Sequence, residues 1–323
     1  MKQMNYKVSI CIPVYNTKQE LLEDCLDSIP HCGFDNRKDD IEIIVIDDGS
    51  TELDVHSVVM DFNKKYPDYH IDDYKHLKNE GLFEARRSAV FVAKGKYIYN
   101  LDSDDFLEPD GLGILVDKIY DKDYDIIQSE YVDLVHDPKL QHLPIMKIDD
   151  KLVDDKQSML RYYAINNFIP GYVWGKLIKR DLYLKSFNEL PYLNLTFCED
   201  FLQIFFLCKN AKSICSFPDI ITYNYNRLTG MTNISNSSMT KERFKKYLSY
   251  SEIIKIINEN NANTPELKQW IREKHTTMLL QIYSSIILSV KDEDLKEYLD
   301  MFSKAFGKQT LYKIHELFES MRK

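Results

Sequence analysis

Apolar and polar positions come in alternating blocks along the first hundred residues, and the blocks change period as they alternate. Residues 8–13 (VSICIP) form an apolar run closed by Pro13, which cannot donate to an interior ladder and so marks a strand end. Leu21, Leu22, Cys25, Leu26 and Ile29 then recur at helical intervals, behind Thr17 and Glu20 at capping-box spacing. Residues 41–46 (IEIIVI) are nearly all apolar, as expected of a parallel strand covered on both faces. A helix carrying Val55, Val58, Val59 and Phe62 follows, then a weak strand over 70–77, a helix over 82–93 and a β-rich run over 96–101. Strands alternating with helices predict a parallel α/β sheet, which takes ligands at the carboxyl ends of its strands.

The polar clusters fall at those ends: Tyr15 and Asn16, then Asp47 and Asp48, then Lys78 and Asn79, then Asp102-Ser103-Asp104-Asp105. The last cluster concentrates charge where an apolar strand meets solvent, and its carboxylates repel one another unless a cation neutralises them. Asp102 and Asp104 alternate like residues on one face of an extended chain, and could meet one hard divalent ion that also holds a diphosphate. The competing reading is an acidic turn whose Asp104 or Asp105 caps a helix beginning near Pro109.

In the second half, Glu199 and Asp200 open an apolar helix over 201–208, where a macrodipole favours acids whatever their function. From Thr240 onward the period is helical, with Tyr247, Leu248, Ile253, Ile254, Ile256 and Ile257 in one helix and Leu267, Ile271, Met278, Ile282 and Ile286 in the next. Thr264-Pro265-Glu266 is a start signal for the latter.

Composition narrows the class. The chain has 323 residues, 44% apolar and 29% charged, with 22 Tyr and 10 Gly, which describes a folded protein large enough for one big domain with an appendage. Its net charge of −9 is uneven: residues 1–240 hold 27 basic against 39 acidic side chains, residues 241–323 hold 15 against 12. An acidic body argues against nucleic acid as a partner. The mildly positive tail suits either a solvated helical surface or contact with an anionic membrane. Cys11, Cys25, Cys32, Cys198, Cys208 and Cys215 lack metal or redox spacing and read as buried thiols in a reducing compartment. No apolar stretch reaches the ~18 residues of a membrane span, and the first seven residues are too short and polar for a signal peptide, so a cytoplasmic protein is expected.

Residues 8–16 (VSICIPVYN), 46–51 (IDDGST), Asn79-Glu80-Gly81 with Ala85-Arg86, and 95–105 (GKYIYNLDSDD) together resemble the successive motifs of family 2 glycosyltransferases with the GT-A fold. The resemblance covers about residues 6–232 and implies a Rossmann-like, mostly parallel sheet flanked by helices, with a C-terminal helical appendage. It implies a catalytic domain over 1–240, with a nucleotide-sugar half to about 130 and an acceptor half from 131, followed by a helical region over 241–323. Pro13, Val14 and Tyr15 would hold uracil and ribose, with the Tyr15 ring against the base. Asp47 and Asp48 would accept hydrogen bonds from uracil or ribose, although an Asp-Gly turn held by its own side chains is the alternative. Asn79, Arg86 and Ser103 would line the nucleotide pocket, Asp102 would lie near ribose and metal, and Asp102 and Asp104 would bind Mn2+ or Mg2+.

On the acceptor side, residues 174–181 (WGKLIKRD) look like the strand and turn that follow a variable linker, here about 132–155. Trp174 would floor the acceptor pocket or else be a core tryptophan. In similar inverting enzymes the second acid of the Glu199-Asp200 pair is the general base, with the first orienting the acceptor. Residues 223–232 (YNYNRLTGMT) resemble a closing segment, but Arg227 stands one place late for a diphosphate clamp, and Thr229-Gly230 could act as its hinge. The resemblance implies transfer from a UDP-sugar to a glycan or lipid-linked glycan in bacterial surface polysaccharide assembly, at the inner face of the membrane. The C-terminal helices would pack, form a homodimer or touch lipid. Two alternatives are a sugar-nucleotide pyrophosphorylase-like nucleotidyltransferase, whose Gly-rich phosphate loop is absent after the first strand, and a catalytically silent UDP-sugar-binding protein.

Overall fold

In a computed structural model the apolar blocks fold in the expected order. The structure describes residues 6–119, 122–134, 148, 151–152, 156–164, 169–226, 240–260 and 264–322. The first half runs β1 (Val8–Val14), α1 (Gln19–Ser28), β2 (Ile41–Asp47), α2 (Val55–Lys65), β3 (Ile71–Lys75), α3 (Leu82–Val92) and β4 (Tyr97–Asn100). There follow β5 (Phe106–Leu107), α4 (Gly111–Lys118), β6 (Ile126–Asp133), β7 (Lys151–Leu152), α5 (Lys156–Ala164), β8 (Lys176–Lys179), α6 (Arg180–Asn188), α7 (Glu199–Asn210) and β9 (Ser213–Tyr225).

Among the described residues the sheet has the order β3-β2-β1-β4-β8-β6-β9-β5, with β7 on β9. The four strands of the first half are parallel, β1 pairing with β2 and β4 and β2 with β3. β8 then runs antiparallel to both β4 and β6, so the sheet is mixed from that point. Every residue of β1 and β2 is buried, which explains why the run is mostly apolar. Of the polar residues inside it, Glu42 is 1% exposed, and its Oε1 accepts from Ser9 Oγ at 2.5 Å, Lys94 N at 2.5 Å and Gly95 N at 3.0 Å. One carboxylate thereby ties the N-terminal ends of β1 and β2 to the turn entering β4. Gly95 is required there, because a Cβ would lie 2.6 Å from both Ser9 N and Ser9 Oγ.

Several local expectations are corrected. The helix α1 starts after Lys18 with no side-chain cap, and Thr17 instead places its hydroxyl 2.6 Å from Ser103 Oγ. The strand expected over 70–77 shortens to β3, an edge strand. The helix after Pro109 is entered through Asp110, in a left-handed conformation without a side-chain cap, so neither Asp104 nor Asp105 caps it. Most of the linker expected over 132–155 lies outside the described residues.

The chain divides into two compact units. Unit 1 comprises 1–194 and 203–233, and unit 2 comprises 195–202 and 234–323. Unit 2 holds α8 (Lys241–Leu248), α9 (Tyr250–Asn260), α10 (Pro265–Ser289), α11 (Asp292–Phe306) and α12 (Lys308–Met321). The expected single helix through 247–257 is therefore two helices. Thr264 caps α10 by accepting from Leu267 N, with Pro265 in the first turn, as the start signal predicts. Phe244, Ile253, Ile257, Ile271, Ile282, Ile286 and Phe302 form this unit's buried stripes.

Candidate active site

The carboxyl ends of β1, β2 and β3 are joined by side chains rather than left open. Asn16 takes a positive φ of 49°, and its Oδ1 accepts from Thr51 N at 2.8 Å and Glu52 N at 3.0 Å, while its own N donates to Ser50 Oγ at 3.0 Å. That clip fixes the loop carrying Val14, which is buried, and Tyr15, which is 47% exposed and free to present a ring face. Pro13 precedes them inside β1, in register with Ile46.

Asp47 and Asp48 differ in what they serve. Asp47 Oδ1 accepts from Ser50 N at 2.7 Å, the turn-stabilising bond expected of an Asp-Gly turn, and its Oδ2 pairs with Lys75 Nζ at 2.9 Å. Asp48 is 2% exposed, with both oxygens committed inside the fold: Oδ1 to His76 Nδ1 at 2.7 Å and Glu80 N at 2.8 Å, Oδ2 to Asn79 Nδ2 at 3.0 Å and Gly81 N at 2.9 Å. Burial raises its carboxyl above the usual aspartate value, with these donors opposing the rise. Asn79 is thus held by Asp48, and Gly49 packs so closely on this loop that a Cβ would sit 2.5 Å from the Lys78 carbonyl carbon.

At the end of β4 the acidic cluster is a turn, not an extended chain, since Asp105 N donates to Asp102 O at 3.1 Å. The alternation that put Asp102 and Asp104 on one face therefore does not apply; the reversal of the backbone sets their directions. Contacts from several elements hold the turn. Arg86, 1% exposed on α3, donates from Nη2 to Asp102 Oδ1 at 2.8 Å, Ser103 Oγ meets Thr17, Cys25 Sγ lies 3.6 Å from Asp102 O, and Asp102 N donates to Tyr223 Oη at 3.2 Å. Tyr223 Oη in turn donates to Asp105 Oδ2 at 2.5 Å, and Asn226 N to Asp105 Oδ1 at 2.6 Å. Asp105 is 2% exposed, and burial, reinforced by the charges of Asp102 and Asp104, pushes its carboxyl up to about 8. It is the structural member of the cluster, while Asp102 and Asp104 keep partial exposure.

Trp174 lies in a tyrosine stack. Tyr172 covers one side at 3.7 Å between centroids and 7° between planes, with Tyr223 at 4.6 Å and Tyr225 at 5.3 Å also parallel to it and Tyr131 edge-on at 4.9 Å. With 7% exposure the indole is a core ring, and the partly exposed aromatic surface here belongs to Tyr131, Tyr172 and Tyr225. Tyr223 and Tyr225, expected in a closing segment, lie in β9, and sequence reasoning assigned no role to Tyr131 or Tyr172 and no link from Tyr223 to the acidic turn. The available signal was the recurrence of Tyr at 223 and 225 on a strand, which puts both rings on one face.

In unit 2, Glu199 and Asp200 form the first turn of α7, behind Cys198 with a positive φ of 58°. Glu199 is buried and Asp200 partly so. Arg227, Thr229 and Gly230 lie outside the described residues.

The donor set suits a hard divalent ion only in part. Among the described residues no group of three His, Cys, Asp or Glu side chains could hold a metal. Asp102 and Asp104 are hard oxygen donors on one turn, and two carboxylates completed by substrate phosphates is the way Mg2+-type ions are commonly held. The residues present fit such an ion shared with a substrate, not a protein-only cage.

Comparison with known proteins agrees with this architecture. Residues 9–183 match the model of glycosyl transferase family 2. The cholesterol galactosyltransferase of Borreliella burgdorferi is 26% identical over 235 residues, covering 71% of this chain, and the match spans 62% of that relative's length. Residues 1–349 of S. aureus TarS, solved with UDP, superpose with a TM-score of 0.64 at 19% identity over 98% of this chain and 91% of that one. The mannosyltransferase PcManGT of Pyrobaculum calidifontis, solved with GDP-Man and Mn2+, gives 0.58 at 15% identity over 99% and 89%. The fold is that of GT-A enzymes, and the chain belongs to glycosyl transferase family 2.

Proposed function

We propose that this chain transfers a sugar from a UDP-sugar to a hydroxyl of a glycan or lipid-linked glycan, with inversion at the anomeric carbon. The observation that carries the reading is the Asp102–Asp105 turn at the carboxyl end of a parallel strand, fixed by buried Arg86 and by Tyr223. Tyr15 would present its ring to the base, Asn79 and Ser103 would line the nucleotide pocket, and Arg86 would hold Asp102 in place. Asp102 and Asp104 would hold Mn2+ or Mg2+, which when bound offsets the negative charge of the departing nucleotide. Asp200 would take the proton of the attacking hydroxyl as its oxygen bonds the anomeric carbon from the face opposite UDP and the bond to the diphosphate breaks. Glu199 would orient the acceptor.

A lipid hydroxyl as acceptor is supported by the name of the galactosyltransferase relative, and a uridine donor by the UDP complex of the TarS structure. Action at the inner face of the cell membrane follows from such an acceptor; among the described residues no helix is long and apolar enough to cross a membrane. The helices of 241–323 would serve packing or a homodimer first and lipid contact second, because their apolar stripes cannot face protein and lipid together. The test is a thermal-shift screen of nucleotides and nucleotide sugars with and without manganese. A ligand at ~100 times its Kd adds about 2.7 kcal/mol of apparent stability. UDP and a UDP-sugar should raise the melting temperature in manganese, and the UDP-sugar should then be slowly hydrolysed. Stabilisation without any turnover would favour the silent binding protein, and no stabilisation by any nucleotide would refute the reading.

A further inference from the structure

Lys75 ends the edge strand β3, directly opposite Asp47 in the β2–β3 register. Its ammonium carries three N–H donors and no acceptor. Two are used: one on Asp47 Oδ2 at 2.9 Å, the other on Ser50 O at 3.3 Å. The Asp47 side chain is 4% exposed, whereas that of Lys75 is 58% exposed, so the carboxylate is the anchor and the ammonium the face shown to solvent. Ser50 joins this ammonium to the first loop, since its hydroxyl accepts from Asn16 N, next to the exposed Tyr15 ring. Ser50 thus ties the loop that carries Tyr15 to a cation that Asp47 holds at the end of β3 and that can only donate.

We propose that Lys75 is a specificity-determining residue, donating its third N–H to a ring carbonyl of the donor's base, O4 of uracil. This rests on the nucleotide-sugar reading given above and adds to it the basis of base choice. Cytosine carries an amine where uracil carries O4, so the ammonium would there meet another donor, and the unpaired contact is penalised on both sides. A phosphate-binding lysine would not distinguish the two bases, because CDP and UDP have the same diphosphate. Asp47 acts as the positioning residue: it fixes the ammonium and keeps it charged, its carboxylate raising the lysine's affinity for its proton.

The experiment is calorimetric titration of the full chain with UDP and with CDP in manganese, for wild type, Lys75→Met and Lys75→Arg. Wild type should prefer UDP. Lys75→Met should weaken UDP by about 10- to 100-fold, the range of one hydrogen bond to a charged group, and leave CDP unchanged or bound more tightly, so that the preference collapses. Lys75→Arg should keep most of it. The ratio of the two affinities is read within one preparation and does not depend on the fraction folded. Equal weakening of UDP and CDP, an unchanged ratio in Lys75→Met, or a wild type indifferent to the base would each overturn the assignment. Failure of the wild type to bind any nucleoside diphosphate would instead overturn the functional reading, and this one with it.

Discussion

Tyr223→Phe removes one oxygen that serves two groups of the acidic turn. The hydroxyl donates to Asp105 Oδ2 at 2.5 Å and accepts from Asp102 N at 3.2 Å, and Asp105 is 2% exposed. Water cannot easily replace it, because the ring is itself fully buried against Trp174. Loss of a partner at a buried polar group costs about 1–3 kcal/mol, and the phenyl ring keeps the stacking area, so no cavity larger than one oxygen is added. At roughly 2–4 °C per kcal/mol for a unit of this size, the melting temperature of the transition that includes unit 1 should fall by about 2–12 °C. The turn loses one of its restraints as well, so UDP affinity in manganese should drop with stability. Differential scanning calorimetry of wild type, Tyr223→Phe and Tyr15→Phe measures this, the last as a control whose hydroxyl sits on an exposed ring. A Tyr223→Phe protein that melts with the Tyr15→Phe control would refute the claim that this hydroxyl holds the turn.

Glu42→Leu should cost about 2–4 kcal/mol in urea unfolding, since Ser9 Oγ and the Lys94 and Gly95 amides lose their shared acceptor; a change under ~0.5 kcal/mol would show the network to be dispensable. Asp200→Asn should keep UDP-sugar affinity yet lower transfer by ~10²–10⁴-fold, and nuclear magnetic resonance of the wild-type product from an α-linked donor should show a β linkage. An α product would remove Asp200 from the role of base. Deleting residues 241–323 should give insoluble or destabilised protein, because Phe197 and Phe201, which remain, would lose the Tyr247 and Trp270 rings that cover them; a truncated chain that stays soluble, keeps its melting temperature and loses only vesicle binding would show lipid contact to be the main purpose of these helices.

The strands and helices of the first half were legible because period alone separates a doubly covered strand such as 41–46 from an amphipathic helix such as α2. The antiparallel entry of β8 was not legible, since four residues carry no mark of direction. At the site, residue types located the clusters but not their partners. Asp48 is spent on His76, Asn79 and two backbone amides, which depends on how β3 ends rather than on any neighbour in sequence. Asp105 meets Tyr223 across more than a hundred residues of chain, and Lys75 meets Asp47 through sheet register. Such pairings are products of tertiary packing, and a pattern of types cannot report them.

If the Asp102–Asp105 turn holds a metal that offsets the charge of the departing diphosphate, UDP release from a UDP-sugar that binds in the thermal screen should depend on that metal and on Asp104; it is followed in manganese, in excess EDTA and with Asp104→Asn. The wild type should release UDP in manganese and none above background in EDTA, and Asp104→Asn should release none above background while keeping an unchanged melting temperature in the absence of ligand. Full release by Asp104→Asn, or by the wild type in EDTA, would contradict that role of the metal.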